Sequence, residues 1–202
     1  MFVQVFRGRV QQAAAVRTLS RRWVRDLAPT ADGWLGSTAG VTDDGRFVVL
    51  ARFASEAAAR HNSDRPEQGA WWAEMVAQFQ EDVRFSNSAS VLLDAPGDPD
   101  AAGFVQVLQG RFREPAKALR LLAETAALRA EARPDILAGL TAEHGDGSFT
   151  MAVYFTSEDA ARRGEQQPVP PELVERRRRI AALLDGTPEY YDLRSPWLDT
   201  RD

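Results

Sequence analysis

The sequence has no cysteine, a single lysine, only two histidines and no long apolar run. Without cysteine the chain can form neither a disulfide framework nor a thiolate metal site. With two histidines we expect no dedicated transition-metal site, which leaves carboxylates as the ligands for any hard cation. No apolar run approaches the roughly 18 residues needed to cross a bilayer. The N-terminus also lacks the basic start and apolar stretch of a secretory signal. We therefore expect a cytoplasmic protein without a membrane partner.

An excess of basic charge is also missing, since the net charge is −4 and neither half of the chain is strongly basic. This balance argues against a nucleic-acid partner. The one basic run, residues 176–179, lies between Glu175 and Ile180. Such a run is typical of the solvated face of an amphipathic helix rather than of a phosphate-binding patch.

The chain contains one sequence unit twice. Residues 2–66 align without a gap with residues 104–168, at a constant offset of 102. Phe-Val-Gln-Val at 2–5 returns at 104–107, and the Asp-Gly pair at 44–45 returns at 146–147. After a three-residue insertion near residue 170 the offset becomes 105, so that Leu93 and Asp94 match Leu198 and Asp199. Duplication explains this better than chance and sets the number of domains at two.

Each copy has the order strand, helix, hairpin, helix, strand. In the first copy alternation predicts strands near 2–10, 34–42, 46–53 and 83–93, and helical spacing predicts a helix over 13–27. An Asp-Gly turn joins the central strands, and Ser55 is the expected N-cap of the second helix. The order is that of the ferredoxin-like α+β fold, with an antiparallel sheet and both helices on one face. We predict one repeat over 1–94, a linker over 95–103, and a second repeat with a C-terminal tail over 104–202.

Helices on one face leave the other face of each sheet uncovered. In a tandem chain the natural cover is the second copy, so we expect the two antiparallel sheets to pack face to face as an intramolecular α+β barrel. The expected state is a monomer with an internal pseudo-dimer, and the sequence leaves further dimerisation open.

The strand order and one local motif resemble the dimeric α+β barrel superfamily, in particular antibiotic-biosynthesis-monooxygenase-like domains. The motif runs from an aromatic residue through Ser-Glu-x-Ala to a polar position and a proline, at residues 53–66 and again at 155–168. The superfamily includes cofactor-free oxygenases, haem-degrading enzymes and members without known activity. Many such domains have a histidine where this chain has Asn62, and His61 comes one residue earlier. Where haem-degrading relatives carry their axial histidine the chain has Trp71 and Trp72, so we expect neither haem nor another cofactor.

The resemblance implies a ligand pocket between the sheet and its helices in the first repeat. The residues expected to bind a small aromatic ligand there are Gln4, Phe6, Trp23, Trp34, Trp71 and Trp72. The residues expected to act on it are His61 as a base, and Asn62 and Arg52 as groups that stabilise an anion. The alternative is that the tryptophans are ordinary core, that Gln4 is an ordinary strand residue, and that His61 and Asn62 merely end a helix. In the second repeat the positions of Trp23, Trp34, His61, Asn62, Trp71 and Trp72 hold Thr125, Ile136, Arg163, Gly164, Arg176 and Arg177.

Three functions remain open from the sequence. The first is a monooxygenase-like enzyme acting on a small aromatic or polyketide-like molecule. The second is a non-catalytic module that binds a ligand in the same pocket. The third is a structural protein whose pockets are filled by side chains, and a cavity well below roughly 300 Å³ would favour it.

Overall fold

The computed structural model describes residues 1–201 and divides into two compact units. Unit 1 contains residues 1–89 together with the C-terminal residues from Pro196 onward. Unit 2 contains residues 90–195. Each unit is built on one antiparallel sheet of five strands.

Unit 1 follows the predicted order closely, and its sheet has the strand order β10-β2-β3-β1-β4. The four strands β2-β3-β1-β4 are the ferredoxin-like set, and β10 is added at the edge. The elements are β1 (Phe2–Arg9), α1 (Ala13–Asp26), β2 (Trp34–Val41), β3 (Arg46–Phe53), α2 (Glu56–Ser63), α3 (Pro66–Val76), β4 (Arg84–Ser88) and β10 (Trp197–Thr200).

Local signals in the sequence place these elements. Gly45 has a φ of 81°, which a residue without Cβ adopts at no steric cost, and it closes the hairpin between β2 and β3. The Ser55 hydroxyl accepts a 3.1 Å hydrogen bond from the backbone N–H of Ala58 and caps α2. Pro66 then starts α3 as a separate helix, because proline fits the first helical turn but not a helix interior.

Unit 2 repeats the architecture, with the strand order β5-β7-β8-β6-β9. Here the ferredoxin-like set is β7-β8-β6-β9, and β5 is the added edge strand. The elements are β5 (Ser90–Asp94), β6 (Phe104–Arg111), α4 (Pro115–Ala132), β7 (Ile136–Glu143), β8 (Ser148–Phe155), α5 (Glu158–Gln166), α6 (Pro171–Ala181) and β9 (Glu189–Leu193).

The compact units and the sequence repeats have different boundaries, because the repeats exchange their last strands. The single strand expected over 83–93 is in fact two strands separated by Ala89. The first, β4, pairs with β1 of its own repeat, whereas β5 pairs with β7 of the other repeat. Likewise the predicted C-terminal tail forms β10, which pairs with β2. Residues 95–103, expected as a linker, carry only the 3₁₀ turn Pro99–Ala101.

The packing of the two sheets face to face stays a prediction from the sequence. In the part of the chain that the structure describes, no helix combines the length and the apolar character needed to span a membrane.

Candidate functional site

Unit 1 contains a cavity between one face of its sheet and its helices. Strands β1, β2, β3 and β10 supply one wall, and α1, α2 and α3 supply the other. Six of the nine residues predicted for the site line this cavity: Gln4, Phe6, Trp23, Trp34, Asn62 and Trp71.

A single polar row crosses the sheet wall of the cavity. Strand register places Asp199 opposite Ser37, Ser37 opposite Ala51, and Ala51 opposite Gln4. All four residues line the cavity. With strands about 4.8 Å apart, Asp199 and Gln4 lie at opposite ends of a row roughly 14 Å long.

Apolar rows flank the polar row on both sides. On one side Trp34 lies opposite Phe53, and on the other Ala39, Val49 and Phe6 lie in register. These residues also line the cavity. The wall is therefore a narrow polar strip between apolar surfaces, which is the usual composition of a pocket for a small organic ligand.

Two tryptophans on the helices complete the apolar lining, and each has its indole N–H satisfied. Trp23 Nε1 donates a 2.5 Å hydrogen bond to Gln68 Oε1, which joins α1 to α3. Trp71 Nε1 donates to the backbone oxygen of Leu19 at 2.9 Å. The rings of Trp23 and Trp34 meet edge to face at 5.1 Å between centroids, a favourable geometry for aromatic pairs.

Trp34 differs from the other two tryptophans because its indole N–H has no hydrogen-bond partner among the described residues. The residue is 2% exposed. A buried donor without an acceptor costs about 1–3 kcal/mol. A ligand oxygen in the cavity would remove that cost.

Asn62 supplies a second donor whose orientation is fixed by a neighbour. Its side chain is 4% exposed, and Oδ1 accepts a 3.0 Å hydrogen bond from Arg65 Nη1. Because Oδ1 faces the guanidinium, the amide nitrogen Nδ2 is the group left to donate to the cavity. Arg65 is itself anchored, since it also donates to the Leu27 carbonyl at 3.3 Å and to Thr30 Oγ1 at 2.7 Å.

Three of the predicted residues do not reach the cavity. His61 is exposed and lies on an open surface beside Arg60 and Asp64. Side chains alternate between the two faces of β3, and Arg52 shares its face with Val48 and Leu50. That face is opposite the cavity. Trp72 is half-buried outside the cavity. It packs against Phe6 and Phe85 with ring centroids 5.1 Å and 5.2 Å away.

The structure adds to the cavity one charged residue, Asp199, that the sequence analysis did not select. Asp199 is the only ionisable side chain among the described residues that line the cavity. It comes from the end of the second repeat, where strand exchange delivers it to unit 1. The match of Asp94 with Asp199 at offset 105 was the available signal. Burial lowers the pKa of Arg17 on α1, the charge of Arg21 lowers it further, and the nearby carboxylate of Asp199 opposes both.

The corresponding region of unit 2 is filled by arginines. Arg129 forms an ion pair with Asp94, the counterpart of Asp199, and only about 20 Å³ of space remains beside them. The guanidinium of Arg133 packs within 2.4 Å of where a Cβ on Gly164, the counterpart of Asn62, would lie. Arg133 is held in place by Asp135, with nitrogen–oxygen distances of 2.8 Å and 2.6 Å. In unit 2, ion-paired arginines thus fill the space that corresponds to the cavity of unit 1.

The cavity in unit 1 has a volume of about 80 Å³. Ordinary ligand pockets measure roughly 300–1,000 Å³. With the side chains as they stand, the volume favours a filled structural core, whereas the unsatisfied N–H of Trp34 favours a ligand site. A ligand of several rings would fit only if side chains that line the cavity move.

No protein-family model and no curated protein sequence matches the chain. Solved structures do match. A "putative monooxygenase" from Lactobacillus acidophilus NCFM superposes with a TM-score of 0.75 at 10% identity, covering 98% of this chain and 95% of that chain. A protein of the same description from Fusobacterium nucleatum subsp. nucleatum gives a TM-score of 0.78 at 8% identity, with coverages of 99% and 94%.

A third similar structure is an anthrone oxidase-like protein, with a TM-score of 0.67, 14% identity, and coverages of 98% and 92%. The chain shares the fold of these monooxygenase-like proteins. They match it over nearly its full length, so this fold includes both ferredoxin-like repeats. At such low identity the likeness establishes the monooxygenase-like fold alone, and the roles of individual residues depend on the geometry above.

Proposed function

We propose that unit 1 binds a small electron-rich aromatic molecule as its anion and oxidises it with O₂ without a cofactor. The observation that supports this most is the unsatisfied donor Trp34 Nε1 on a largely apolar cavity that Asn62 also lines, with its Oδ1 turned to Arg65. Donors held in a water-poor cavity stabilise a phenolate or enolate oxygen more strongly than water does.

An anthrone illustrates the reaction. Loss of a proton from its ring methylene gives an enolate whose negative charge resides largely on the oxygen, and the donors would stabilise this anion. The enolate carbon then transfers electrons to O₂ and forms a bond to one oxygen atom. That carbon ends as a carbonyl, the other oxygen atom leaves as water, and the substrate supplies all the electrons. The similar anthrone oxidase-like structure supports this choice of test substrate.

Asn62→Asp is the sharpest single test. The aspartate keeps an oxygen that accepts from Arg65, so the local fold should persist, but it replaces the Nδ2 donor by a negatively charged oxygen. We expect O₂ consumption with anthrone to fall by at least about tenfold, the value of one hydrogen bond to a charged group. Gln12→Glu makes the same amide-to-carboxylate change at an exposed position just before α1, outside the cavity lining, and should retain activity.

The result decides between the proposal and its alternative. If the wild-type protein neither binds nor consumes O₂ with anthrones and hydroxylated phenols, the structural function takes its place, as the 80 Å³ volume favours. If such compounds bind and quench tryptophan fluorescence without turnover, unit 1 is a binding module. Equal activity in the wild type and Asn62→Asp would remove Asn62 from the site.

A further inference from the structure

The proposed reaction begins with the loss of a proton, and the group that accepts this proton is still to be assigned. His61, which the sequence suggested as the base, is exposed and lies outside the cavity. Most residues that line the cavity carry apolar side chains, amides or hydroxyls, and none of these groups takes a proton from carbon at neutral pH. Asp199 is the exception among the described lining residues.

Asp199 lies on β10, and this strand contacts α1 through Arg17. Trp197 and Asp199 are two residues apart on β10, so their side chains share one face of the sheet. The guanidinium carbon of Arg17 lies 4.6 Å from the centroid of the Trp197 ring, and the charge of Arg17 interacts with the carboxylate of Asp199. A positive charge at this distance favours the ionised form of Asp199, which is the form that can accept a proton.

The interaction with Arg17 is compatible with proton transfer, because a carboxylate has two oxygens and about four acceptor sites. An aspartate can remove a proton from a carbon that a carbonyl activates, provided that hydrogen-bond donors stabilise the enolate oxygen. Trp34 Nε1 is such a donor without a partner among the described residues, and it lines the same cavity as Asp199. Trp34 lies on β2, the strand that pairs with β10, so the donor and the carboxylate come from neighbouring strands.

We propose that Asp199 is the catalytic base of unit 1 and removes the methylene proton of an anthrone or of a related carbon acid. This inference rests on the proposed function and deepens it. The proton passes to a carboxylate oxygen of Asp199. The electron pair of the broken C–H bond passes through the ring system to the carbonyl oxygen, which becomes the enolate oxygen and accepts from Trp34 Nε1.

The same carboxylate can carry the later proton transfers. The enolate carbon gives an electron pair to O₂ and forms a C–O bond, and the resulting peroxide anion takes the proton back from Asp199. Asp199 then removes the second proton of that carbon, the O–O bond breaks, and the carbon becomes a carbonyl. The departing hydroxide takes this proton and forms water, so the carboxylate is restored. All the electrons that reduce O₂ come from the substrate.

Proton exchange under nitrogen tests the first step separately from the oxidation. Anthrone is incubated with the full-length protein in D₂O, and NMR follows the replacement of its methylene protons by deuterium. We expect the wild type to exchange these protons faster than buffer alone does. In Asp199→Asn the protein-catalysed rate should fall by at least about 100-fold, the lower end of what a general base contributes. Anthrone should still quench the tryptophan fluorescence of this variant, because the apolar lining is unchanged.

Asp94→Asn is the matched control, because Asp94 is the counterpart of Asp199 in the other repeat. It should keep the wild-type rate of exchange. Asp199→Glu retains a carboxylate and should recover part of the exchange that Asp199→Asn loses, which a merely structural role of the aspartate would not predict. Thermal unfolding checks each variant, and Asp199→Ser, which also removes the carboxylate, takes the place of Asp199→Asn if that variant does not fold.

The outcomes separate the two proposals. Exchange in Asp199→Asn at the wild-type rate overturns the role of Asp199, and the proposed function stands if the wild type consumes O₂ with anthrone. An equal loss of exchange in Asp94→Asn also overturns that role. Exchange that depends on Asp199 in a wild type that consumes no O₂ supports the base and overturns the proposed oxidation. A wild type that accelerates neither exchange nor O₂ consumption overturns both.

Discussion

The indole of Trp23 on α1 donates to the side-chain carbonyl of Gln68 on α3 at 2.5 Å, directly at the cavity of unit 1. This hydrogen bond joins α1 to α3, as do the ion pair between Arg22 and Glu74 and the hydrogen bond from Trp71 Nε1 to the Leu19 carbonyl. Both residues line the cavity, so breaking this bond would free two of its lining side chains. The strength of this one contact therefore bears on how a ligand of several rings gains entry.

Gln68→Ala tests that link. The variant removes the acceptor of Trp23, and we expect a loss of about 1 kcal/mol in the free energy of unfolding. We also expect faster association of an anthrone in stopped-flow fluorescence, because the two helices separate more readily. Gln78→Ala, which removes only a 3.4 Å contact within its own turn, should leave the rate unchanged. An unaltered association rate in Gln68→Ala would place the entrance elsewhere.

Trp34 and Trp71 allow a matched test of whether the indole N–H of Trp34 lacks a hydrogen-bond partner. Trp71→Phe deletes the hydrogen bond from Trp71 Nε1 to the Leu19 carbonyl, whereas Trp34→Phe deletes a donor that has no acceptor. Both changes lose similar ring area. We therefore expect Trp71→Phe to be the more destabilising of the two by about 1 kcal/mol in urea unfolding without ligand.

For ligand binding we expect the opposite ranking, with the substitution of Trp34 having the larger effect. Trp34→Phe should weaken binding of an anthrone more than Trp71→Phe does, because only the Trp34 donor is free to reach the ligand oxygen. Equal unfolding free energies for the two variants would mean that Trp34 Nε1 is satisfied in solution.

Much of each repeat could be predicted because its signals are local. The Asp-Gly hairpin, the Ser55 cap and the helical spacing of α1 each depend on a few adjacent residues, and their elements lie within about two residues of the prediction. Strand exchange at Ala89 could not be predicted in this way, because it depends on pairing between distant segments. Residues 83–93 were predicted as one strand, and nothing in their own sequence specifies that the second half pairs with β7. Asp199 was missed for the same reason.

The prediction of the site was limited by what the sequence says about side-chain orientation. Gln4, Trp23, Trp34 and Trp71 could be placed from periodicity, since each shares a face with apolar neighbours. His61 and Asn62 are adjacent on α2, and one helical step rotates a side chain by about 100°. Only the structure shows that Asn62 is the buried member of the pair. For Arg52 the period of two along β3 already contained the answer, because it alternates with Ala51 and Phe53, which line the cavity.

Arg65 should contribute more to stability than its place between two helices suggests. Its side chain is only 10% exposed, and it holds Asn62, the end of α1 and the following turn together. Arg65→Met removes all three hydrogen bonds and leaves the buried Asn62 Oδ1 without its donor, and we expect a loss of about 2 kcal/mol in the free energy of unfolding. Arg65→Lys keeps the charge but not the fork of donors and should recover only part of it.

Arg60→Met is the control for this variant. Arg60 makes an i,i+4 ion pair with Glu56 on the surface of α2, with 70% of its side chain exposed. Such pairs are worth about 0.3–0.5 kcal/mol. A loss in Arg65→Met as small as that in Arg60→Met would show that Arg65 does not organise the site.

Asp146 gives unit 2 a specific acid sensitivity. Hydrogen bonds from the Ser148 hydroxyl and backbone N–H, with the Arg111 guanidinium, lower the pKa of Asp146 from 3.8 to about 2. Because the folded pKa lies below the unfolded one, this carboxylate stabilises the fold above about pH 4 and loses that contribution as the pH falls towards 2. In Asp146→Asn the free energy of unfolding should therefore fall less steeply over this range. Ser148→Ala, which removes the largest cause of the shift, should show an intermediate slope in urea unfolding followed by circular dichroism. Parallel slopes for wild type and Asp146→Asn would mean that the hairpin carboxylate has the same pKa in the folded and unfolded chain.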